Sequence, residues 1–281
     1  MAYFWPLYGE DDEASFTFAD TRARSHIDKV FGERFHGTLI TDGYSAYARY
    51  AENKPGVTHA QCWVHMRRYF DRAKDSDCHA QEGLALIAEL YRQEARIRDQ
   101  ELAGEAKQQV RTKYEEPIVR TFWQWCDRQC QRLDLEPSHP LAKALAYAHH
   151  RKAALEVFLG DPDVPLDTNH LERALRSIPM GRKNWLFCWT EVGAEGVGII
   201  QSLITTCRLQ GVDPYTYLVD VLQRVQTHPA KRVEELTPRM WKKLFADHPM
   251  RSDVDRADPR PPAILCSATL PSLTANQPSA A

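Results

Sequence analysis

Between residues 80 and 158 no run of residues has the make-up of a β-strand, although β-rich segments stand on both sides. Within that block Leu84, Ile87, Ala88 and Tyr91 recur at helical spacing, as do Ile118, Phe122 and Trp125. Acids and bases fill the remaining positions, the usual pattern of a solvated helix face. Pro137 and Pro140 mark a break between helices. The block reads as an all-helical insertion between strand-bearing segments.

The flanks supply the strands. Ala2–Tyr8 and Ser15–Ala19 are aromatic and β-rich, and an acidic turn centred on Gly9 separates them, which predicts a hairpin. His26–Phe35 has helical spacing, with Ile27, Val30 and Phe31 on one face. Gly37–Thr41 is a short buried-type strand ending at Asp42-Gly43; Tyr44–Tyr50 opens a helix and Val57–Gln61 forms another strand. Beyond the block, Asn169–Ile178 is predicted as a helix stopped by Pro179, and Gly181–Trp189 as a strand or a tight turn into one. Gly193, Gly196 and Gly198 read as turn residues. Ser202–Leu209 and Tyr215–Val225 read as two more helices. From about residue 251 the chain is rich in Pro, Ser and Ala and reads as a disordered tail.

Composition sets the partners and the compartment. A hydrophobic share of 43% over 281 residues can build a sizeable core. The net charge of −2 does not announce a nucleic-acid partner, so any basic surface must be local. Seven scattered cysteines favour reduced thiols over a secreted disulfide framework. Residues 1–8 lack a basic flank and are too short for a signal core, and no stretch approaches the roughly 20 apolar residues of a membrane span. The expectation is a soluble cytoplasmic protein.

Four segments could carry chemistry. A carboxylate at the carboxyl end of a buried strand, such as Asp42, points into the crevice where open α/β sheets gather ligands, although Asp-Gly also makes ordinary turns and caps. On a helix, Asn169, Glu172, Arg173 and Arg176 form one polar stripe opposite Leu171, Ala174, Leu175 and Ile178. Glu172 could then hold a divalent metal while the arginines meet phosphates; equally, Asn169 and Glu172 resemble a capping pair. Cys62 and His65 share a helix face. With Cys78 and His79 they could be drawn as a zinc site, but the second pair is adjacent rather than spaced, and a buried thiol with a hydrogen-bonded histidine is the plainer reading. Gly181-Arg-Lys-Asn-Trp-Leu-Phe187 sets Arg182 and Lys183 beside Trp185, a mixture suited to phosphates and unstacked bases, or to a hairpin burying its aromatics.

The order of the segments FWPLYG, LITDGYSAY, CWVHMRRYF, DTNHLERALR and GRKNWLF resembles the transposases of insertion-sequence-66 type, from residue 3 to about residue 225. That resemblance implies an α/β fold with a ribonuclease-H-like mixed sheet, its first half at 1–79 and its second half, with the glutamate helix, at 159–205. The helical insertion at 80–158 separates the halves, and a C-terminal helical segment at 206–250 precedes the tail at 251–281. Asp42 matches the second aspartate of the family's DDE triad, Glu172 its glutamate, and Asn169 the asparagine beside that acid. Cys62 and His65 match a Cys-x-x-His signature with a structural role. Arg173, Arg176, Arg182, Lys183 and Trp185 are the implied DNA contacts. The resemblance further implies two Mg2+ ions, with Mn2+ as a substitute, held in part by Asp42 and Glu172. Its implied partners are double-stranded DNA at transposon ends and target, further copies of the chain in the active complex, and helper proteins, with no membrane. The implied location is the cytoplasm, at the nucleoid when DNA is bound.

One departure stands out. The family's first aspartate lies on the first strand of the fold, about a dozen residues upstream of the segment matching Ala2–Tyr8, and Asp11, Asp12 and Asp20 fall in the wrong places to replace it. The expectation is a chain that lacks that strand and is inactive by itself. The other reading is a non-catalytic remnant that binds DNA or co-assembles with an intact transposase. A mere helical interaction protein would leave the ordered motifs unexplained.

Overall fold

A computed structural model describes residues 3–32, 35–181, 188 and 190–253. Strands β1 (Tyr3–Gly9) and β2 (Glu13–Ala19) form a hairpin whose turn, Glu10–Asp12, lies just beyond Gly9 and sets Asp12 at a φ of 56°. Helix α1 (Arg24–Phe31) starts and ends earlier than the periodicity predicts, and Gly32 closes it. Then β3 (Gly37–Thr41), α2 (Ser45–Glu52) and β4 (Val57–Gln61) make a βαβ unit with β3 and β4 parallel in register from Gly37 opposite Val57 to Thr41 opposite Gln61. Among the described residues strands and helices are mixed as expected, and the hairpin and the parallel pair are two separate two-stranded sheets. No described strand pairs with both.

From α3 (Trp63–Ala73) the chain is helical: α4 (His79–Asp99), α5 (Gly104–Val110), a π-turn at Arg111–Glu115, α6 (Glu116–Cys130), α7 (Pro140–His149), α8 (Lys152–Gly160) and α9 (Asn169–Leu175). The expected helix to Ile178 is broken at Arg176, and α10 (Ser177–Gly181) runs through Pro179 instead of stopping before it. Proline is tolerated there because the first-turn N–H it lacks would have no intrahelical partner. Helix α11 (Glu191–Leu209) absorbs all three glycines read as turn residues and extends the helix predicted from Ser202. Helix α12 (Pro214–Arg224), a 3-10 segment at Ala230–Leu236 and α13 (Pro238–Leu244) follow. The segment Arg182–Phe187, Trp189 and the chain beyond Asp253 lie outside the described residues. No described helix is long and apolar enough to cross a membrane.

The chain divides into two compact units: Met1–Tyr3 with Ala19–Ala174, and Phe4–Phe18 with Leu175–Ala281. In the first, the helical block shares one core with α3 and β4. Trp63, Met66 and Phe70 of α3 pack with Ile87, Phe122, Trp125, Leu145 and Phe158, and Ala60 joins them from β4. In the second unit α11 runs along the edge of β2. Its small and hydroxyl residues, four apart, complete the strand: Ser202 Oγ accepts from Phe16 N–H (2.8 Å), and Thr206 Oγ1 accepts from Ala14 N–H (3.0 Å) and donates to Ala14 O (3.2 Å). Gly198 permits this approach, because a Cβ there would stand 2.4 Å from Phe16 O. Further along, the buried Asp220 accepts hydrogen bonds from Trp241 Nε1 (2.8 Å), Met250 N (2.7 Å) and Arg224.

The π-turn carries a buried pair that periodicity does not reveal. Arg111 is fully buried; it donates to Glu94 Oε1 (2.9 and 2.7 Å) and to the carbonyls of Phe158 (2.7 Å), Asp161 (3.0 Å) and Val164 (3.0 Å). Glu115 is equally buried, 3.7 Å from the Arg111 Nε. Neither of its carboxyl oxygens has a hydrogen-bond partner. Burial, with the charge of Glu94, pushes its carboxyl up to about 8, against the opposing pull of Arg111. The neutral form is thus the one the fold prefers. Its contribution to stability is complete below the unfolded value near 4.5 and declines as pH rises through about 8. Glu115→Gln keeps the shape without the charge. It is expected to flatten that decline, leaving stability near pH 5 little changed and raising it at pH 9 by on the order of 3 kcal/mol. Thermal melts across this range check it; parallel curves for the two proteins refute it.

Candidate active site

Asp42 follows the last residue of β3, and its exposed carboxylate accepts from Tyr44 N–H (2.9 Å) in a tight Asx turn. The helical block braces this turn. Tyr147 of α7 reaches Asp42 O (3.4 Å), and Arg151 reaches Gly43 O (3.5 Å). Gly43 adopts a φ of +93°, and a Cβ there would stand 2.2 Å from the Tyr147 hydroxyl, so the position requires glycine on both counts. Tyr147 is itself clamped between Tyr69 of α3, stacked at 4.0 Å, and the Arg151 guanidinium at 3.8 Å.

Glu172 lies in the first turn of α9. Asp167 organises the approach to that helix, accepting from Asn169 N–H (2.9 Å) and Asn169 Nδ2 (2.7 Å). Asn169 is therefore spent on Asp167 rather than pairing with Glu172 as a cap. The backbone N–H of Glu172 closes on Thr168 O (3.0 Å), and Arg173 is exposed.

The Cys-x-x-His segment splices these two regions together. Cys62 N–H donates to Thr41 O (3.0 Å), continuing the β3–β4 ladder, while its buried Sγ accepts from Thr168 N–H (3.4 Å). Trp63 N–H donates to Leu166 O (3.1 Å). One turn on, His65 Nε2 stands 3.2 Å from Glu172 Oε1, and Arg68 donates to Glu172 Oε2 at 2.9 Å. Burial holds the His65 imidazole below its ordinary value, with Arg68 pulling the same way; Glu172, Asp42 and Asp167 oppose them. Burial also pushes the Cys62 thiol up, away from the thiolate that a zinc ligand would need. A zinc site joining Cys62 and His65 to Cys78 and His79 is not formed. Cys62 and His65 are engaged with the chain around α9. Cys78 and His79 group instead with Asp77, whose carboxylate Arg132 already pairs at 2.9 Å.

The arrangement thus brings the end of β3, the start of α3 and the first turn of α9 to one place. Glu172 meets the His65 imidazole directly at 3.2 Å, and Asp42 stands within electrostatic reach of the same ring. Glu172 Oε1 is buried and lacks an aligned hydrogen-bond donor, since the His65 contact meets the distance of an ion pair only. Arg176 is exposed on the second unit; Arg182, Lys183 and Trp185 lie outside the described residues. Arg68, Tyr147, Arg151 and Arg111 were not singled out from sequence. Only Arg68 carried a signal there, standing three residues after His65 and so on the same helix face.

Comparison with known proteins bears on what this site belongs to. The model of the family "Transposase IS66 family" matches residues 1–196, and that of the "IS66 C-terminal element" matches residues 202–239. Among curated proteins, the uncharacterized protein y4hP of Sinorhizobium fredii (strain NBRC 101917 / NGR234) is 31% identical over 258 residues, covering 86% of this chain and 46% of the relative. The uncharacterized protein y4qI of the same organism is 30% identical over 259 residues, covering 86% and 47%. The chain therefore spans about half the length of the curated relatives it matches. No solved structure matches it. With family models covering most of its length, the chain belongs to the IS66 family of transposases.

Proposed function

We propose that this chain is the catalytic portion of an insertion-sequence transposase that cuts and joins DNA by DDE chemistry, with Asp42 and Glu172 as two of the three metal-binding carboxylates. The observation that carries the reading is the splice at Cys62–His65: Cys62 N–H bonds Thr41 O, one residue before Asp42, and His65 Nε2 meets Glu172 Oε1 at 3.2 Å, 130 positions beyond Asp42 in the chain. The donor set supports it. Carboxylate oxygens suit Mg2+ or Mn2+ better than thiol or imidazole does, and Glu172 Oε1 is a buried acceptor without an aligned donor. Asp42 and Glu172 would hold such ions, with Asn169 close behind Glu172; the chemistry of the ions when bound would be to stabilise the negative charge that builds during displacement at phosphorus. Arg173, Arg176, Arg182, Lys183 and Trp185 would meet the DNA, and the Cys62–His65 segment would keep the two acids in register. A βαβ unit whose first strand ends in an acid is compatible with a ribonuclease-H-like sheet, in which a further strand beside β3 would bring the third carboxylate. Double-stranded DNA, further copies of the chain and helper proteins are the proposed partners, and the cytoplasmic nucleoid is the proposed location.

The test is a transposition assay with a marked element bounded by its terminal repeats. In a full-length transposase of this family, these residues are expected to support excision and insertion with Mg2+. Alone, the 281 residues should bind DNA with a steep salt dependence but show little or no Mg2+-dependent nicking. Robust nicking by the 281 residues alone that survives both Asp42→Asn and Glu172→Gln would overturn the assignment.

A further inference from the structure

Arg68 has no place in the chemistry above, yet it makes the shortest polar contact to Glu172, 2.9 Å from NH2 to Oε2. It lies one turn after His65 on α3, so the same face of that helix presents both groups to both oxygens of one carboxylate. The pair is half exposed, with side-chain exposures of 46% for Arg68 and 35% for Glu172. A buried structural ion pair is usually sealed and its members hydrogen-bonded on every side, as Arg111 is. This one opens to solvent at the residue assigned to hold metal.

We infer that Arg68 is a counterion built into the site, which occupies the Glu172 carboxylate in the absence of divalent metal and competes with the metal for it. The inference rests on the reading of Glu172 as a metal ligand. The physical reason is charge. Glu172 meets His65 at 3.2 Å, with Asp42 and Asp167 within electrostatic reach of the same ring, and these like charges disfavour one another without a cation. A guanidinium can neutralise it in place and then swing away on its flexible stem when a divalent ion arrives. The competition weakens metal binding, so the site would load under conditions that also supply an alternative anion for Arg68, such as a DNA phosphate.

The test uses the full 281-residue chain and Mn2+ alone as the probe, with binding read from water-proton relaxation. Arg68→Ala is expected to bind Mn2+ about two- to fivefold more tightly than the unaltered chain, the range set by a half-exposed ion pair. Arg68→Lys keeps the charge and should stay within about twofold of the unaltered chain. Glu172→Gln in the Arg68→Ala background should erase the gain. Affinity that is unchanged or weaker in Arg68→Ala, while Glu172→Gln alone still weakens Mn2+ binding, overturns the counterion role and leaves the metal role of Glu172 standing. If neither Glu172→Gln nor Asp42→Asn alters Mn2+ binding, the reading of these acids as ligands fails, and the counterion role with it. Because Arg68 is half exposed, the melting temperature should be unmoved in all three Arg68 proteins, which separates a change in the site from a change in the fold.

Discussion

Arg111→Ala is expected to lower stability by about 3–5 kcal/mol, the cost of removing one partner from a buried ion pair, and to lower the melting temperature by about 10 °C. The guanidinium joins three stretches of chain: Glu94 on α4, the end of α8 at Phe158, and the loop carrying Asp161 and Val164. Truncation strands three carbonyl oxygens in the interior and removes the cation that faces Glu94 and Glu115. Arg111→Lys should recover only part of the loss, because an ammonium cannot span the same fan of acceptors. Arg111→Met fills the volume without the donors and should lie near alanine. The loop through Val164 leads on to Leu166, whose carbonyl receives Trp63 N–H, and to Thr168, which opens α9. The damage should therefore reach Glu172 before the chain unfolds. Circular-dichroism melts read the first effect; a loss of amide protection at Thr168 and Glu172, measured well below the melting temperature by hydrogen exchange, reads the second. A melting temperature within a degree or two of the unaltered chain would show that the buried arginine holds nothing.

The parts of the molecule written in local pattern were legible in the sequence. Gly37–Thr41 and Val57–Gln61 are strands over the residues predicted, because alternation and β-branched residues decide short strands directly. The helical block was legible because apolar residues at helical spacing repeat over many turns. What was missed depends on distant partners. Gly193, Gly196 and Gly198 looked like punctuation, since glycine is a poor helix former; the requirement that α11 lie against the β2 backbone overrides that preference, and nothing in the local sequence records it. Pro179 reads as a stop in the local sequence because its place in the first turn of a new helix depends on the break at Arg176. The site divides in the same way. Asp42 and Glu172 stand out through motif order, whereas Tyr147 and Arg151 reach the turn at Asp42, and Arg111 the loop before α9, from within the helical block, where an aromatic or a base looks like any other. The helical block thus braces the turn at Asp42 and the loop that leads to Glu172.

In a full-length transposase that carries these residues, the proposed roles of Asp42 and Glu172 predict that Asp42→Asn and Glu172→Gln each reduce strand cleavage and joining by at least about a thousandfold. Charge stabilisation by a divalent ion is worth several kcal/mol at the transition state, and each 1.4 kcal/mol is tenfold in rate. An amide keeps the size and most of the hydrogen bonding of the acid, so the fold should be preserved. Asp42 is exposed and Glu172 about one-third exposed, which makes structural collapse a poor explanation for any loss. DNA binding should change little, because the residues proposed to meet phosphates are the arginines and lysine elsewhere, and its salt dependence should keep its slope. The two substitutions should also differ from His65→Ala. That change removes a neighbour of Glu172 and not a ligand, so raising Mn2+ should recover part of its activity, whereas no concentration of metal should rescue Glu172→Gln. Equal losses of DNA binding and cleavage in the two carboxylate variants would mean that these acids shape the DNA surface. Rescue of Glu172→Gln by Mn2+ would place it outside the metal's reach.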